Sequence, residues 1–273
     1  MTIRVFAQME QGSEEWLTAR LGMVTASMVG HLISVEPQDA SMVDCPTCQA
    51  VAFEPCVSVA RKAPTAIKTA HDSRKARAAE LPPAYKPAQT ETARLITAQL
   101  VAERINGWAD LVFITSDMMR GTLDEPVARD LYSRTWEPVV EVGFITRDDW
   151  GFSIGFSPDG LVGEEGLIEV KSRLSKRQVL TIVDDEIPAL AMAQMQAGML
   201  VSGRSWCDYI SYSGGMKLWV KRVYPDRAWQ AGIIGAAQML ENTAAEWIAA
   251  YTERTAAMPT TERGFYDQEI EVA

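Results

Sequence analysis

Ser157-Pro158-Asp159-Gly160-Leu161-Val162-Gly163-Glu164-Glu165-Gly166-Leu167-Ile168-Glu169-Val170-Lys171 decides the fold. Pro158-Asp159-Gly160 and Glu164-Glu165-Gly166 carry turn chemistry, and the apolar run after Gly166 reads as a strand. Side chains alternate along a strand, so Glu169 and Lys171 share one face while Ile168 and Val170 point the other way into a core. A hairpin or a pair of adjacent strands then brings Asp159 beside Glu169. Two carboxylates and a lysine at one sheet edge make a hard-cation site with a water-activating group at hand. A lone E-x-K reads as solvated residues on an exposed sheet. Here P-D, nine further residues and E-x-K stand between apolar strand residues, which argues for chemistry.

The surroundings fit such a strand. VVEVGFIT (139–146) and GFSIGFS (151–157) read as strands before it, separated by Asp148-Asp149-Trp150-Gly151. An Ala- and Met-rich helix follows over 188–201 and stops at Gly203. CDYISYS and MKLWVKRVY then form strands joined through Gly214-Gly215. A long helix over 226–254 places Trp229, Ile233, Ala237, Leu240, Ala244 and Trp247 on a common face. Upstream, Ser13 suits an N-cap for a helix carrying Trp16, Leu17, Arg20 and Leu21, ended by Gly22. A short helix from Thr25 or Ser27 would carry Met28, Val29, Leu32 and Ile33. Helices are also expected over 89–107, with Leu95, Ile96, Leu100 and Ile105 on one side, and over 117–133 after a cap at Ser116. This order predicts an α+β fold, a mixed α/β/α sandwich. No internal repeat is present.

Composition bounds the function. Apolar residues make up 47% of 273, which excludes wholesale disorder. No apolar run approaches the length that spans a bilayer, and the first residues lack a signal-peptide stretch, so a soluble, intracellular protein with no membrane role is expected. A net charge of −10 excludes a histone-like DNA coat and leaves room for a local basic groove.

Three of four Cys and one of two His lie between Cys45 and His71, spaced C-x2-C-x7-C-x14-H. The thiolates of Cys45 and Cys48 can share one ion, and Cys56 with His71 completes a tetrahedron, so a structural Zn²⁺ with no open position is expected. An intracellular chain with so few cysteines does not suit a disulfide framework. The same region, 36–88, holds seven of the 13 prolines. Arg61, Lys62, Lys68, Arg74, Lys75 and Arg77 face only Asp72 between Val57 and Ala78. Such a shift marks a zinc-binding insertion at 36–88 in a core formed by 1–35 and 89–273, serving to hold DNA or a partner rather than to cut. The C-P-x-C…P-C…H-x2-R pattern resembles a zinc-ribbon module of phage and actinobacterial DNA-binding proteins. Cys207 reads as a buried strand residue, and His31 as a partly buried core or groove residue.

The catalytic stretch resembles the PD-(D/E)xK nuclease core, and flanking segments make it similar to the lambda exonuclease and YqaJ-type viral recombinase family. Those segments are Trp16-Leu17-Thr18-Ala19-Arg20-Leu21-Gly22-Met23-Val24-Thr25-Ala26-Ser27, Gly121 to Glu125 as G-x3-E, and Met192-Ala193-Gln194-Met195-Gln196, in family order. The resemblance implies a restriction-endonuclease-like core in which Asp159, Glu169 and the Val170 carbonyl hold Mg²⁺ or Mn²⁺, and Glu125 completes the shell directly or through water. It implies that Lys171 orients or deprotonates the attacking water. Gln196 is preferred over Gln194 for positioning the lysine or phosphate, because residues two apart on a helix cannot face the metal equally. Gln194 is then assigned to DNA. Arg20, Thr25 and Ser27 resemble the element that grips a 5′-terminal phosphate, which a guanidinium fork and hydroxyls suit. The implied activity is a metal-dependent deoxyribonuclease that resects duplex DNA ends 5′ to 3′, leaving 3′ single strands for a strand-annealing partner in recombination. A homotrimer and a cytoplasmic setting in a bacterial or phage-infected cell belong to the same implication. The alternatives are a structure-specific endonuclease on the same core and a non-catalytic zinc-dependent DNA-binding or adaptor protein.

Overall fold

A computed structural model describes residues 2–60, 63–110 and 114–262. Arg61 and Lys62 of the basic stretch lie outside the described residues. In chain order the elements are β1 (Ile3–Phe6), α1 (Glu14–Arg20), β2 (Val24–Thr25), α2 (Ala26–Val29), β3 (Ile33–Glu36), a 3-10 turn (Ala40–Met42), α3 (Asp72–Ala79), β4 (Ala84–Pro87), α4 (Glu91–Asn106) and α5 (Ser116–Thr135). Then come β5 (Val139–Val140), β6 (Phe144–Arg147), β7 (Ile154–Phe156), β8 (Gly160–Val162), β9 (Gly166–Ser172), α6 (Ser175–Asp184), α7 (Ala189–Ser202), β10 (Trp206–Tyr212), β11 (Trp219–Val223) and α8 (Arg227–Thr255).

Strand β9, which carries Glu169 and Lys171, is central in a five-stranded sheet of order β11-β10-β9-β8-β5, parallel to β10 and antiparallel to β8. Its alternation divides two cores. Leu167 packs with Cys207, Tyr209 and the buried residues of α7 and α8. Ile168 and Val170 pack on the other face with Ala128 and Tyr132 of α5. The sheet is thus covered on both faces by helices, the α/β/α arrangement expected, because every side chain from Leu167 to Val170 has to leave water. A second sheet, β1-β6-β7-β2, packs on the far side of α7. Gly203 ends α7 in the left-handed region at φ 72°, returning its N–H to the Met199 carbonyl, and α8 buries Trp229, Ile233, Ala237, Leu240 and Ala244 as expected.

Several local expectations change. Val139–Thr146 is not one strand: the chain leaves the five-stranded sheet after Val140 and joins the other at Phe144. Gly143 stands at the crossing with the Met9 carbonyl oxygen 1.7 Å from where a Cβ would be, so only glycine lets the two backbones pass. Thr115 rather than Ser116 caps α5, and α2 ends at Val29, before Leu32 and Ile33. The buried side of α4 runs through Ala93, Thr97, Leu100 and Val101, leaving Leu95 and Ile105 exposed. His31 is exposed. Cys207 is a buried strand residue, as expected.

Strands β3 and β4 pair antiparallel, Ile33 opposite Pro87 and Glu36 opposite Ala84, and form a stem from which residues 37–83 project. The stem rests on α8, with the Tyr85 ring 4.2 Å from that of Trp229.

Candidate active site

Asp159 stands at the turn into β8, and its Oδ2 accepts the Val170 N–H of β9 at 2.6 Å. That bond places the carboxylate beside Glu169. Glu169 is fully buried, with Lys171 Nζ against its Oε1 at 2.5 Å, yet neither oxygen accepts a hydrogen bond of good geometry among the described residues. Oε1 is left to its ion pair with Lys171 and Oε2 has no partner among the described residues, so the buried carboxylate has room for a cation and the donor set fits a hard divalent metal. Glu125, on the turn of α5 that faces this edge, brings a third carboxylate. Burial first and Glu169 second push the Asp159 carboxyl up to about 7. Burial first and Asp159 second push Glu125 up to about 7. Burial also raises Glu169. For Lys171, burial works against the charge but Glu169 and Asp159 outweigh it and hold the ammonium above its usual range. Three carboxylates against Lys171 and Arg129 leave the site short of positive charge, which a divalent ion would supply.

Two site expectations are rearranged. Gln194, not Gln196, meets the lysine: Lys171 Nζ donates to Gln194 Oε1 at 3.1 Å. Gln196 is turned the other way, donating to the Tyr224 carbonyl at 2.9 Å and accepting the Asp226 N–H at 2.8 Å, where it ties α7 to the start of α8. The reason is helical phase, which carries residues two apart to opposite sides of α7.

Arg20 lies near the turn that carries Asp159. Its Nη1 donates to Ser157 Oγ at 3.0 Å, and its guanidinium stacks 3.9 Å above the Trp16 ring. Trp16 Nε1 donates to the same Ser157 oxygen at 2.9 Å. With two donors on its oxygen, the Ser157 hydroxyl keeps its own proton to donate. Burial lowers Arg20 to about 10, Glu103 opposing, so it stays charged at neutral pH. Thr25 and Ser27 share a hydrogen bond at 3.1 Å, Thr25 buried and Ser27 exposed.

The reading from sequence missed Arg129, although its i,i+4 spacing from Glu125 was visible. Arg129 Nη1 donates to Glu125 Oε1 and to the Asp159 carbonyl, both at 2.8 Å, and Nη2 pairs with Glu141 Oε2 at 3.0 Å. It also gave Ser157 and Trp16 no role of their own beyond their place in the motifs.

In the projecting segment, the ligand atoms of Cys45, Cys48, Cys56 and His71 all lie within 4.8 Å of one another. A tetrahedral Zn²⁺ with Zn–S of about 2.3 Å needs thiolates about 3.8 Å apart, so the cluster fits it. Cys56 is lowered to about 6: burial opposes ionisation, and the His71 backbone and Arg74 prevail. Arg74 is 1% exposed and spends its N–H groups on the carbonyls of Ser41, Val43, Val51 and Glu54 and on Cys56 Sγ. It therefore does not belong to the basic surface counted from sequence. Among the described basic residues of that stretch, Lys68, Lys75 and Arg77 are exposed, and Lys75 pairs with Asp72 at 2.9 Å.

A model of the YqaJ-like viral recombinase domain matches residues 68–205, just over half of the chain. The chain belongs to the YqaJ-like viral recombinase family. A second model, of a phage zinc finger domain to which DNA binding is ascribed, matches residues 13–94. Among solved structures, this YqaJ-like chain is similar to LHK-Exo, an alkaline exonuclease from Laribacter hongkongensis, at 26% identity over 90% of this chain and 100% of that one, with a TM-score of 0.64. The complex of LHK-Exo with dAMP gives the same figures. No curated protein matches significantly. No helix among the described residues is long and apolar enough to cross a membrane.

Proposed function

We propose that this YqaJ-like chain is a Mg²⁺-dependent DNA exonuclease that resects duplex ends 5′ to 3′ and leaves 3′ single strands for an annealing protein. The observation that carries the reading is Glu169, buried at the centre of the sheet with Oε1 paired to Lys171, Oε2 without a partner among the described residues, and Asp159 beside it. The fold shared with an alkaline exonuclease supports it. Asp159, Glu169 and the Val170 carbonyl would hold the ion, with Glu125 beside them. When bound, Mg²⁺ would lower the pKa of water and stabilise charge on the phosphate. Lys171, held by Glu169 and Gln194, aims its ammonium at the attacking water and the phosphate oxygens. Arg20 and Ser157 hold a terminal 5′-phosphate, with Thr25 and Ser27 on the neighbouring segment, so that the next phosphodiester reaches Asp159. Polarity follows from that grip.

Core residues 1–35 and 89–273 would cut, while 36–88 would carry a structural Zn²⁺ and hold DNA or a partner protein. Among the described residues, exposed apolar faces on two helices would suit an interface between copies, as a homotrimer would need. Met119, Leu123, Val127 and Leu131 recur every four residues along α5, and Val179 and Val183 do so on α6, Leu123 and Val183 being 67% and 73% exposed. Such a protein would act in the cytoplasm of a bacterial or phage-infected cell. Digestion of linear and covalently closed duplex with Mg²⁺ or with EDTA tests the activity. Metal-dependent loss of the linear form alone is expected, nicking of closed circles would favour an endonuclease, and no cleavage would leave a DNA-binding protein.

A further inference from the structure

Resting on that reading of Glu125 and Asp159, we infer that Arg129 is a positioning residue that clamps helix α5 to the Asp159 turn and so sets the spacing of the metal-binding carboxylates. One nitrogen, Nη1, donates to both the Glu125 carboxylate and the Asp159 backbone carbonyl. Asp159 is therefore held twice, its side chain by the Val170 N–H of β9 and its backbone by Arg129. Among the described residues Arg129 is the only hydrogen-bond partner of Glu125, so nothing else fixes the direction of that carboxylate. The guanidinium is itself oriented: its side chain is 12% exposed, and Nη2 is anchored outward on Glu141, which is 72% exposed. Arg129 makes these contacts from the side facing α5 and the turn, while Lys171 occupies the β9 side with Glu169 and Gln194.

Two physical effects give opposite signs, which makes the role testable. Arg129 is a cation near a cation site, so charge repulsion alone would make its removal tighten metal binding. Positioning makes its removal weaken binding, because Glu125 loses its orientation and the Asp159 turn its tether. Positioning is inferred to win.

Mn²⁺ affinity is measured by calorimetry on the full-length protein without DNA, and the Mg²⁺ dependence of cleavage alongside. Arg129→Gln should weaken Mn²⁺ binding by about 10- to 100-fold. The Mg²⁺ concentration for half-maximal cleavage should rise by a similar factor, with a smaller fall in the rate at saturating Mg²⁺. Arg129→Lys, which keeps the charge and one donor, should recover part of the affinity, and it carries the measurement if the Gln variant does not fold. Glu141→Gln should shift affinity in the same direction by less. Unchanged or tighter Mn²⁺ binding in a folded Arg129→Gln protein, or in Arg129→Lys where the Gln variant does not fold, overturns the inference. Asp159→Ala separates the two levels: if that variant still binds Mn²⁺ and cuts, the reading of the site itself has failed. If it is inert while the Arg129 variants bind metal normally, only the clamp has.

Discussion

The Val170 N–H donates to Asp159 Oδ2 at 2.6 Å, fastening the turn that begins one strand to the middle of the next. Replacing it would remove the proposed ligand and this one tether, but the bond from Arg129 to the backbone carbonyl at 159 and the β8–β9 pairing would remain. Asp159→Ala and Glu169→Ala should each lower cleavage by about 10³-fold or more, the scale of a lost metal contribution to the transition state. Duplex binding, measured in Ca²⁺ by anisotropy, should persist. Cleavage near the wild-type rate in either variant would remove the site assignment.

Metal affinity should depend on pH. Asp159 and Glu125 lie at about 7 in the metal-free chain, and the ion takes their deprotonated forms. Apparent Mg²⁺ affinity should therefore climb as pH rises through about 7, with protons released on binding. The same raised values give the apoprotein stability that is fully present below the ordinary carboxylate range and lost as pH rises through about 7. Mg²⁺ should restore it. Calorimetry in two buffers of different ionisation heat reads the protons directly. No proton release near neutral pH would contradict the raised values.

Arg20→Ala should slow digestion of 5′-phosphorylated ends by about 10- to 100-fold, the range for a hydrogen bond to a charged group. On 5′-hydroxyl ends the loss should be several-fold smaller. Because Arg20 also stacks on Trp16 and bonds Ser157, Arg20→Lys should keep charge yet recover little. Equal losses on both substrates would make Arg20 structural.

Cys45→Ser combined with Cys48→Ser should remove one zinc per chain by elemental analysis and unfold only the projecting segment. Cleavage at low salt should largely persist, since Asp159, Glu169 and Lys171 sit on the five-stranded sheet. Affinity for DNA or partner should fall. Loss of all cleavage on zinc removal would show instead that the segment builds part of the active site.

Arg74→Met should release zinc to a chelator much faster than the wild type. The substitution strips donors from four carbonyls, each costing about 1–3 kcal/mol if left buried and unpaired, and removes a cation from beside Cys56. Wild-type release kinetics would mean water replaces the guanidinium without strain.

Strand β9 was legible because its pattern has a period of two: Glu169 and Lys171 alternate with Ile168 and Val170, and no tertiary detail changes that. The clustering of Cys45, Cys48, Cys56 and His71 was legible from spacing alone. Gln194 and Gln196 were not. Helix α7 is buried on nearly every side, so its sequence carries no amphipathic phase to orient either glutamine. Arg129 was half visible, as Glu125 lies one turn away, but its bond to the Asp159 carbonyl joins residues 30 apart. The sheet change at Gly143 left one glycine as its signal, and that glycine answers to Met9, far off in sequence. Arg74 misled a count of charges because burial cannot be read from a basic run.

The β3–β4 stem has a consequence for how such enzymes diversify. Glu36 faces Ala84 across it, and paired antiparallel residues have their Cα atoms about 5 Å apart. To the rest of the chain, the segment between Glu36 and Ala84 is the loop of a hairpin. Loop closure grows more costly only slowly with length, about 0.6 kcal/mol per doubling. A tight turn, this zinc fold or an unrelated small domain could therefore occupy the same socket without disturbing the sheet that holds Asp159 and Glu169. On the proposed division of labour the stem would serve as a cassette mount, at which the inserted part could change while the sheet beneath it stays the same.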